Sequence, residues 1–117
     1  MINIFSSSRY KVDKKLIQEF AQTVLDRYHA TNLVAVNIVF VGKRKMKDIA
    51  RTYKNEDVAL PVLSFPYQND QKNTENVIGE VLICYPQAVL LAAEREKKVT
   101  DMMKQLIEHG IQNLYTK

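Results

Sequence analysis

The residues of this sequence with the clearest chemical potential form a short basic segment, residues 43–54. Six basic side chains against one acid, Asp48, give the segment a net charge of +5, which exceeds the +4 of the whole chain. Four of them recur at helical spacing and would form one stripe along a helix: Lys43, Lys47, Arg51 and Lys54. Together with Arg44, such a stripe can neutralise phosphates and release their counterions, which favours nucleic-acid binding. A solvated helix face is the alternative interpretation.

Aromatic residues are sparse around this basic stripe. Tyr53 lies at the end of the predicted helix and is expected to belong to the core. Without exposed rings, recognition of RNA would rest on phosphate contacts and on shape more than on the bases.

The single cysteine and one of the two histidines have no partner at the spacing of a metal site. Cys84 lies in an apolar run, which favours a buried, reduced thiol over a reactive one, and one cysteine cannot form an internal disulfide. His29 comes at the end of a predicted helix, where a surface or capping role is expected. These two residues therefore predict no site of their own.

Apolar periodicity predicts the elements that must position the basic segment. Asp13 is expected to cap the first helix, and Met102 and Met103 to continue the apolar face of the last. Residues 68–76 are polar and are predicted to form an exposed loop. The predicted order is strand 2–5, helix 13–29, strand 33–41 covered on both faces, helix 44–53, strands 62–66 and 76–84, and helices 87–97 and 100–114. This order predicts one α/β or α+β domain over residues 1–117, with a small mixed sheet of about four strands covered by about four helices.

Composition excludes several classes of protein. With 46% apolar residues the chain can form one core, but its apolar stretches are far shorter than the roughly 20 residues of a membrane span. The first residues lack the basic and apolar segments of a secretory signal, so a cytoplasmic location is expected.

Three segments in this order resemble the YbeY family of rRNA-maturation endoribonucleases. Residues 51–67 are similar to the family's "TYRGKDKPTNVLSFPF" stretch, and their Val-Leu-Ser-Phe-Pro core is intact. Residues 78–84 are similar to its "LGDLVIC" strand, and residues 105–114 to its "LVHGxLHLLGYDH" helix. The resemblance covers most of the chain and implies a YbeY-like fold. It also implies RNA as the partner, with rRNA as the target and the small ribosomal subunit as a further candidate.

The resemblance also implies a metal site. In the family, three histidines of an HGxxHxxxxxH pattern hold a metal, usually assigned as zinc, that activates water against an RNA phosphodiester. His109 supplies the first ligand here, Asn113 stands at the second position, and the third would fall two positions beyond Lys117. Because an amide oxygen is a poor zinc ligand, we expect zinc to be absent or weakly bound.

Carboxylates on the same helix remain open as replacement ligands. Glu108 points about 100° from His109 around the helix, a poor angle for sharing one ion, and Asp101 is the other candidate. His109 itself is interpreted either as a relic metal ligand or as a half-buried structural histidine.

The resemblance implies Lys54, Ser64 and His109 as the candidates for catalysis. Lys54 stands where the family has the arginine of "TYRGK"; it keeps the charge and loses the bidentate fork. Three functions stay open: an RNA-binding protein of rRNA maturation or ribosome assembly with a degenerate metal site, an active metal-dependent single-strand endoribonuclease, and a protein-binding module without an RNA role.

Overall fold

A computed structural model describes residues 1–28, 34–67 and 76–116. It contains a four-stranded mixed sheet and four helices, which confirms the predicted fold class. The elements are β1 (Ile2–Phe5), α1 (Lys14–Asp26), β2 (Ala35–Val41), α2 (Lys43–Lys54), β3 (Val62–Pro66), β4 (Val77–Cys84), α3 (Tyr85–Glu94) and α4 (Val99–Tyr115).

The strand order in the sheet is β1-β2-β4-β3. The first three of these run parallel, and β3 pairs with β4 in the antiparallel direction. β3 is therefore an edge strand, and its last residue, Pro66, has no amide hydrogen to offer a further strand. The register places Asn3, Asn37, Glu80 and Phe65 side by side across the sheet.

The two faces of the sheet are covered unequally. Successive residues of a strand point to opposite faces, and Ile38 and Val81 belong to the larger core with residues of α1, α3 and α4. That core includes Met102 and Met103, which are 0% and 2% exposed, as the periodicity predicts. On the opposite face, α2 covers only part of the sheet and packs Met46 and Ala50 against Leu63, Leu82 and Cys84.

Several predicted boundaries differ from the structure for local reasons. α3 begins at Tyr85, before the predicted residue 87, because Pro86 fits the first turn of a helix. It ends at Glu94, before the predicted residue 97, and Glu96 has a left-handed backbone with φ 54°. α1 ends at Asp26, before the predicted residue 29. It begins after Asp13, whose carboxylate accepts a hydrogen bond from the Leu16 amide, as expected of an N-cap.

The predicted coverage of β2 on both faces is incomplete at its middle, because α2 packs mainly on β3 and β4. Asn37 and Val39 are only partly buried. His29, Leu33 and residues 68–75 of the predicted polar loop lie outside the described residues. None of the helices in the described ranges is long and apolar enough to cross a membrane.

Candidate nucleic-acid interface

α4 packs against the sheet at a glycine, directly after His109. A Cβ on Gly110 would lie 2.5 Å from Val81 Cγ1 and 3.2 Å from Val62 Cγ2, so only a residue without a side chain allows this approach. The Ser64 hydroxyl donates a hydrogen bond of 2.7 Å to the Gly110 carbonyl. β3 and β4 thus fix the helical turn that carries His109.

A groove of about 240 Å³, the α4 groove, opens beside this contact. Its floor and walls are mainly apolar, and three of its side chains are polar: Arg95, Gln105 and His109. Lys97 Nζ lies 2.9 Å from Gln105 Oε1 and donates to it, which adds a second cation near the groove. The remaining lining residues are Pro61, Val62, Leu91, Met102 and Leu106.

Arg95 was not among the residues that the sequence singled out. It directly follows α3, and only the packing of α3 on α4 brings it to the groove of His109. His109 is exposed, so its interpretation as a half-buried structural histidine is wrong. An arginine guanidinium and a histidine ring in one groove are suited to hold a phosphodiester, since both donate hydrogen bonds to phosphate oxygens.

Among the described residues, the donors near His109 do not make up a zinc-ligand set. Asn113 lies one turn further along α4 and is also exposed, and it offers an amide where a zinc site needs imidazole, thiolate or carboxylate. Glu108 forms an ion pair with Arg27, and Asp101 lies eight residues before His109, about 12 Å along the helix axis. Within residues 1–28, 34–67 and 76–116, no three His, Cys, Asp or Glu side chains come together as metal ligands would.

The three catalytic candidates are divided between the two faces of the sheet. Ser64 and His109 lie on the α4 side, where the Ser64 hydroxyl donates its proton to the Gly110 carbonyl. Lys54 is the last residue of α2, which packs on the opposite face. Ser64 thus has an evident structural contact, and Lys54 is exposed.

The basic stripe on α2 is exposed, and an acid outside the helix offsets part of its charge. Arg51 Nη2 lies 2.7 Å from Asp57 Oδ1, and Lys47 Nζ lies 4.0 Å from the same oxygen. Arg51 also approaches Asp48 at 3.6 Å. The hydrogen bond from Arg51 lowers the pKa of Asp57, and the same bond raises the pKa of Arg51. Lys43, Arg44 and Lys54 are exposed as well, so the segment still presents several cations to solvent.

The prediction that Tyr53 belongs to the core is wrong. Its side chain is 67% exposed and meets the Phe65 ring edge to face, with 5.2 Å between centroids. The two rings border a second groove of about 370 Å³, which we call the aromatic groove, on the α2 side of the sheet. Its lining residues are Ile49, Tyr53, Phe65, Tyr67, Glu80 and Leu82. The rings thus come together from α2, from β3 and from the residue after β3.

Comparison with known proteins agrees with the motifs. The family described as "Endoribonuclease YbeY" matches residues 3–115. A protein of that name from Janthinobacterium sp. (strain Marseille) is 30% identical over 112 residues, covering 93% of this chain and 73% of the relative. The protein of the same name from Thermodesulfovibrio yellowstonii is 25% identical and is covered over 69% of its length.

A solved structure shows a similar fold. The solution structure of a protein from Thermotoga maritima superposes with a TM-score of 0.62, over 100% of this chain and 73% of that one, at 20% sequence identity.

Proposed function

The chain belongs to the YbeY family of endoribonucleases, and from this premise we propose that it binds RNA at the α4 groove in rRNA maturation, without metal-dependent hydrolysis. The observation that carries the proposal is the composition of that groove. Arg95 and His109 line it together, while Asn113 replaces the second imidazole of the family's pattern. The groove therefore offers donors for an anion at a place where the family's pattern of metal ligands is interrupted.

The chemistry of binding follows from the groove's side chains. The Arg95 guanidinium supplies a permanent positive charge and several N–H donors in a fixed plane, which suits phosphate oxygens. The His109 imidazole adds a donor from the facing helix. Apolar walls such as Leu91 and Leu106 exclude water from one side of the bound group, which strengthens both contacts.

The basic stripe adds long-range attraction to this local site. Its cations lie on α2, across the sheet from His109, and raise the concentration of RNA near the protein. Lys47 and Arg51 form ion pairs with Asp57. The other four cations of residues 43–54 form no ion pair among the described residues: Lys43, Arg44, Lys45 and Lys54.

Binding of a short labelled single-stranded RNA, followed by fluorescence anisotropy at several salt concentrations, tests the proposal. Arg95→Gln should weaken binding and reduce the slope of log K against log salt by about 0.7, because one phosphate contact to a single strand is lost. Arg9→Gln removes an equal charge at an exposed site before α1 and serves as the control. An unchanged affinity and salt slope for Arg95→Gln would exclude the α4 groove as the phosphate site.

Lys47→Glu with Arg51→Glu tests the stripe separately. This double variant should weaken binding and flatten its salt dependence if the stripe attracts RNA. If the affinity stays unchanged, the stripe is a solvated helix face and the α4 groove binds alone.

Metal-dependent cleavage of RNA is the second candidate function, and the exposed position of His109 in a groove favours it. Metal analysis of protein purified without chelator separates the two candidates. We expect far less than one zinc per chain, and stoichiometric zinc would support the enzyme instead. If purified protein cleaves RNA, His109→Ala should abolish the cleavage; cleavage that survives this change would place the active group elsewhere.

A further inference from the structure

The aromatic groove is not used by the proposed phosphate site. It lies on the other face of the sheet from His109, where α2 ends and leaves part of β3 and β4 uncovered. Three aromatic rings border it, and two of them are well exposed: Tyr53 at 67% and Tyr67 at 43%. Exposed apolar surface that is clustered in a groove is typical of a ligand-binding site.

We propose that the aromatic groove binds one unpaired RNA base, stacked against Tyr53 with its edge toward Glu80. This inference rests on the proposed RNA role and assigns a second contact point to the same ligand. The volume of the aromatic groove, about 370 Å³, lies in the range of pockets that hold small molecules.

The shape of the groove favours a flat ring over a protein partner. The Tyr53 and Phe65 rings meet edge to face rather than stacked, and Tyr53 is 67% exposed, so part of its ring surface is open for a stacked base. Six residues line the groove, whereas a stable protein interface uses roughly 20–30 residues on each side. A single planar group fits this scale.

The charges around the groove match the two parts of a nucleotide. Lys45 is exposed and lies one turn before Ile49 on the same side of α2, where it can meet a phosphate at the rim. Glu80, directly opposite Phe65 in the sheet, is partly buried and would repel a phosphate inside the groove. The backbone of the RNA is therefore kept at the rim and the base is directed inward.

Glu80 also suggests which base is preferred. A carboxylate only accepts hydrogen bonds, and the Tyr67 hydroxyl donates to it at 3.4 Å. Guanine carries two neighbouring donors on its Watson–Crick edge, N1–H and the 2-amino group, whereas uracil has one. A tyrosine hydroxyl is protonated at neutral pH, and burial and the neighbouring Glu80 raise the pKa of Tyr67 further, so the hydroxyl is a donor there. We therefore expect guanine to bind better than uracil.

Anisotropy with a short oligouridine, and with the same oligomer carrying one central guanosine, tests this inference. Stacking on one aromatic side chain contributes roughly 1–3 kcal/mol, so Tyr53→Ala should weaken binding of the guanosine oligomer by about 5- to 150-fold. Tyr53→Phe keeps the ring and should bind within about twofold of the unchanged protein. Leu90→Ala truncates an apolar side chain that is 47% exposed on α3 and should have no effect.

Glu80→Gln tests whether the Glu80 carboxylate accepts hydrogen bonds from the edge of the base. It replaces one acceptor oxygen by a donor and should reduce the preference for the guanosine oligomer while keeping affinity for oligouridine. Circular dichroism and thermal unfolding confirm that each variant is folded.

The outcomes separate the two proposals. If the unchanged protein binds neither oligomer at low salt, the proposed RNA role fails, and this inference with it. If it binds but Tyr53→Ala binds equally well, the aromatic groove is not a base site and the RNA role stands. Equal losses in Tyr53→Ala and Tyr53→Phe would assign the contact to the hydroxyl and contradict stacking. Equal affinity of the unchanged protein for both oligomers would overturn the role of Glu80.

Discussion

Replacing Gly110 with alanine tests the close contact between α4 and the sheet. The new methyl group would lie 2.5 Å from Val81 Cγ1 and 3.2 Å from Val62 Cγ2. Val81 is 0% exposed and branched at Cβ, so it cannot rotate away at low cost. Forcing a methyl group into a packed core costs about 1–3 kcal/mol, and alanine regains about 1 kcal/mol of helix propensity. Because the clash is severe, the upper part of that range applies, and we expect a net loss of about 1–2 kcal/mol.

Urea unfolding followed by circular dichroism measures this loss. For a chain of this size, each kcal/mol also corresponds to a fall in Tm of roughly 3–5 °C. Val81→Ala alone should destabilise by removing buried methyl groups, but in the double variant it also makes room for the alanine at position 110. The double variant should therefore be more stable than the sum of the two single changes predicts, by about 1–2 kcal/mol. A Gly110→Ala protein as stable as the unchanged one would refute the packing argument.

Three further predictions concern titratable groups. Cys84 is fully buried and burial raises its thiol pKa, so a thiol reagent should modify it only after denaturant is added; rapid modification of the native protein would contradict the burial. Burial raises the pKa of Tyr115 to about 12 from its ordinary value of 10, so its contribution to stability is complete below pH 10 and declines as the pH rises toward 12. Tyr115→Phe should remove the part of the stability loss at alkaline pH that comes from this hydroxyl. Unfolding curves at increasing pH measure the free energy of unfolding and so test this. Arg51 lowers the pKa of Asp57, whose stabilising effect is therefore present at neutral pH and lost as the pH falls through that lowered pKa. Asp57→Asn should make stability less dependent on pH in this acid range; an unchanged acid profile would show that the pair does not form in solution.

The elements of the fold could be predicted because each depends on local periodicity. The apolar spacing of α4 and the N-cap at Asp13 are properties of a few neighbouring residues, and both are present in the structure. Element ends were less predictable where one residue decides them, as Pro86 does at the start of α3.

The candidate site could be predicted only in part, since its residues are distant in sequence. His109 was indicated by a motif, but Arg95 reaches the same groove through the packing of α3 on α4. Tyr53 was assigned to the core because helical spacing alone cannot show that α2 leaves part of the sheet uncovered. Asp57 follows α2 and was not counted with the basic segment, although its carboxylate lies 2.7 Å from Arg51.

On α4, the residues that hold the fold differ from those at the positions of the family's metal ligands. Gly110 and its buried neighbours pack against the sheet, whereas His109 and Asn113 are exposed and contribute little to the core. A substitution at either exposed position would therefore leave folding almost unaffected. Selection for a stable protein and selection for metal chemistry can act independently on this helix. A descendant can therefore lose the metal chemistry and keep the stable fold.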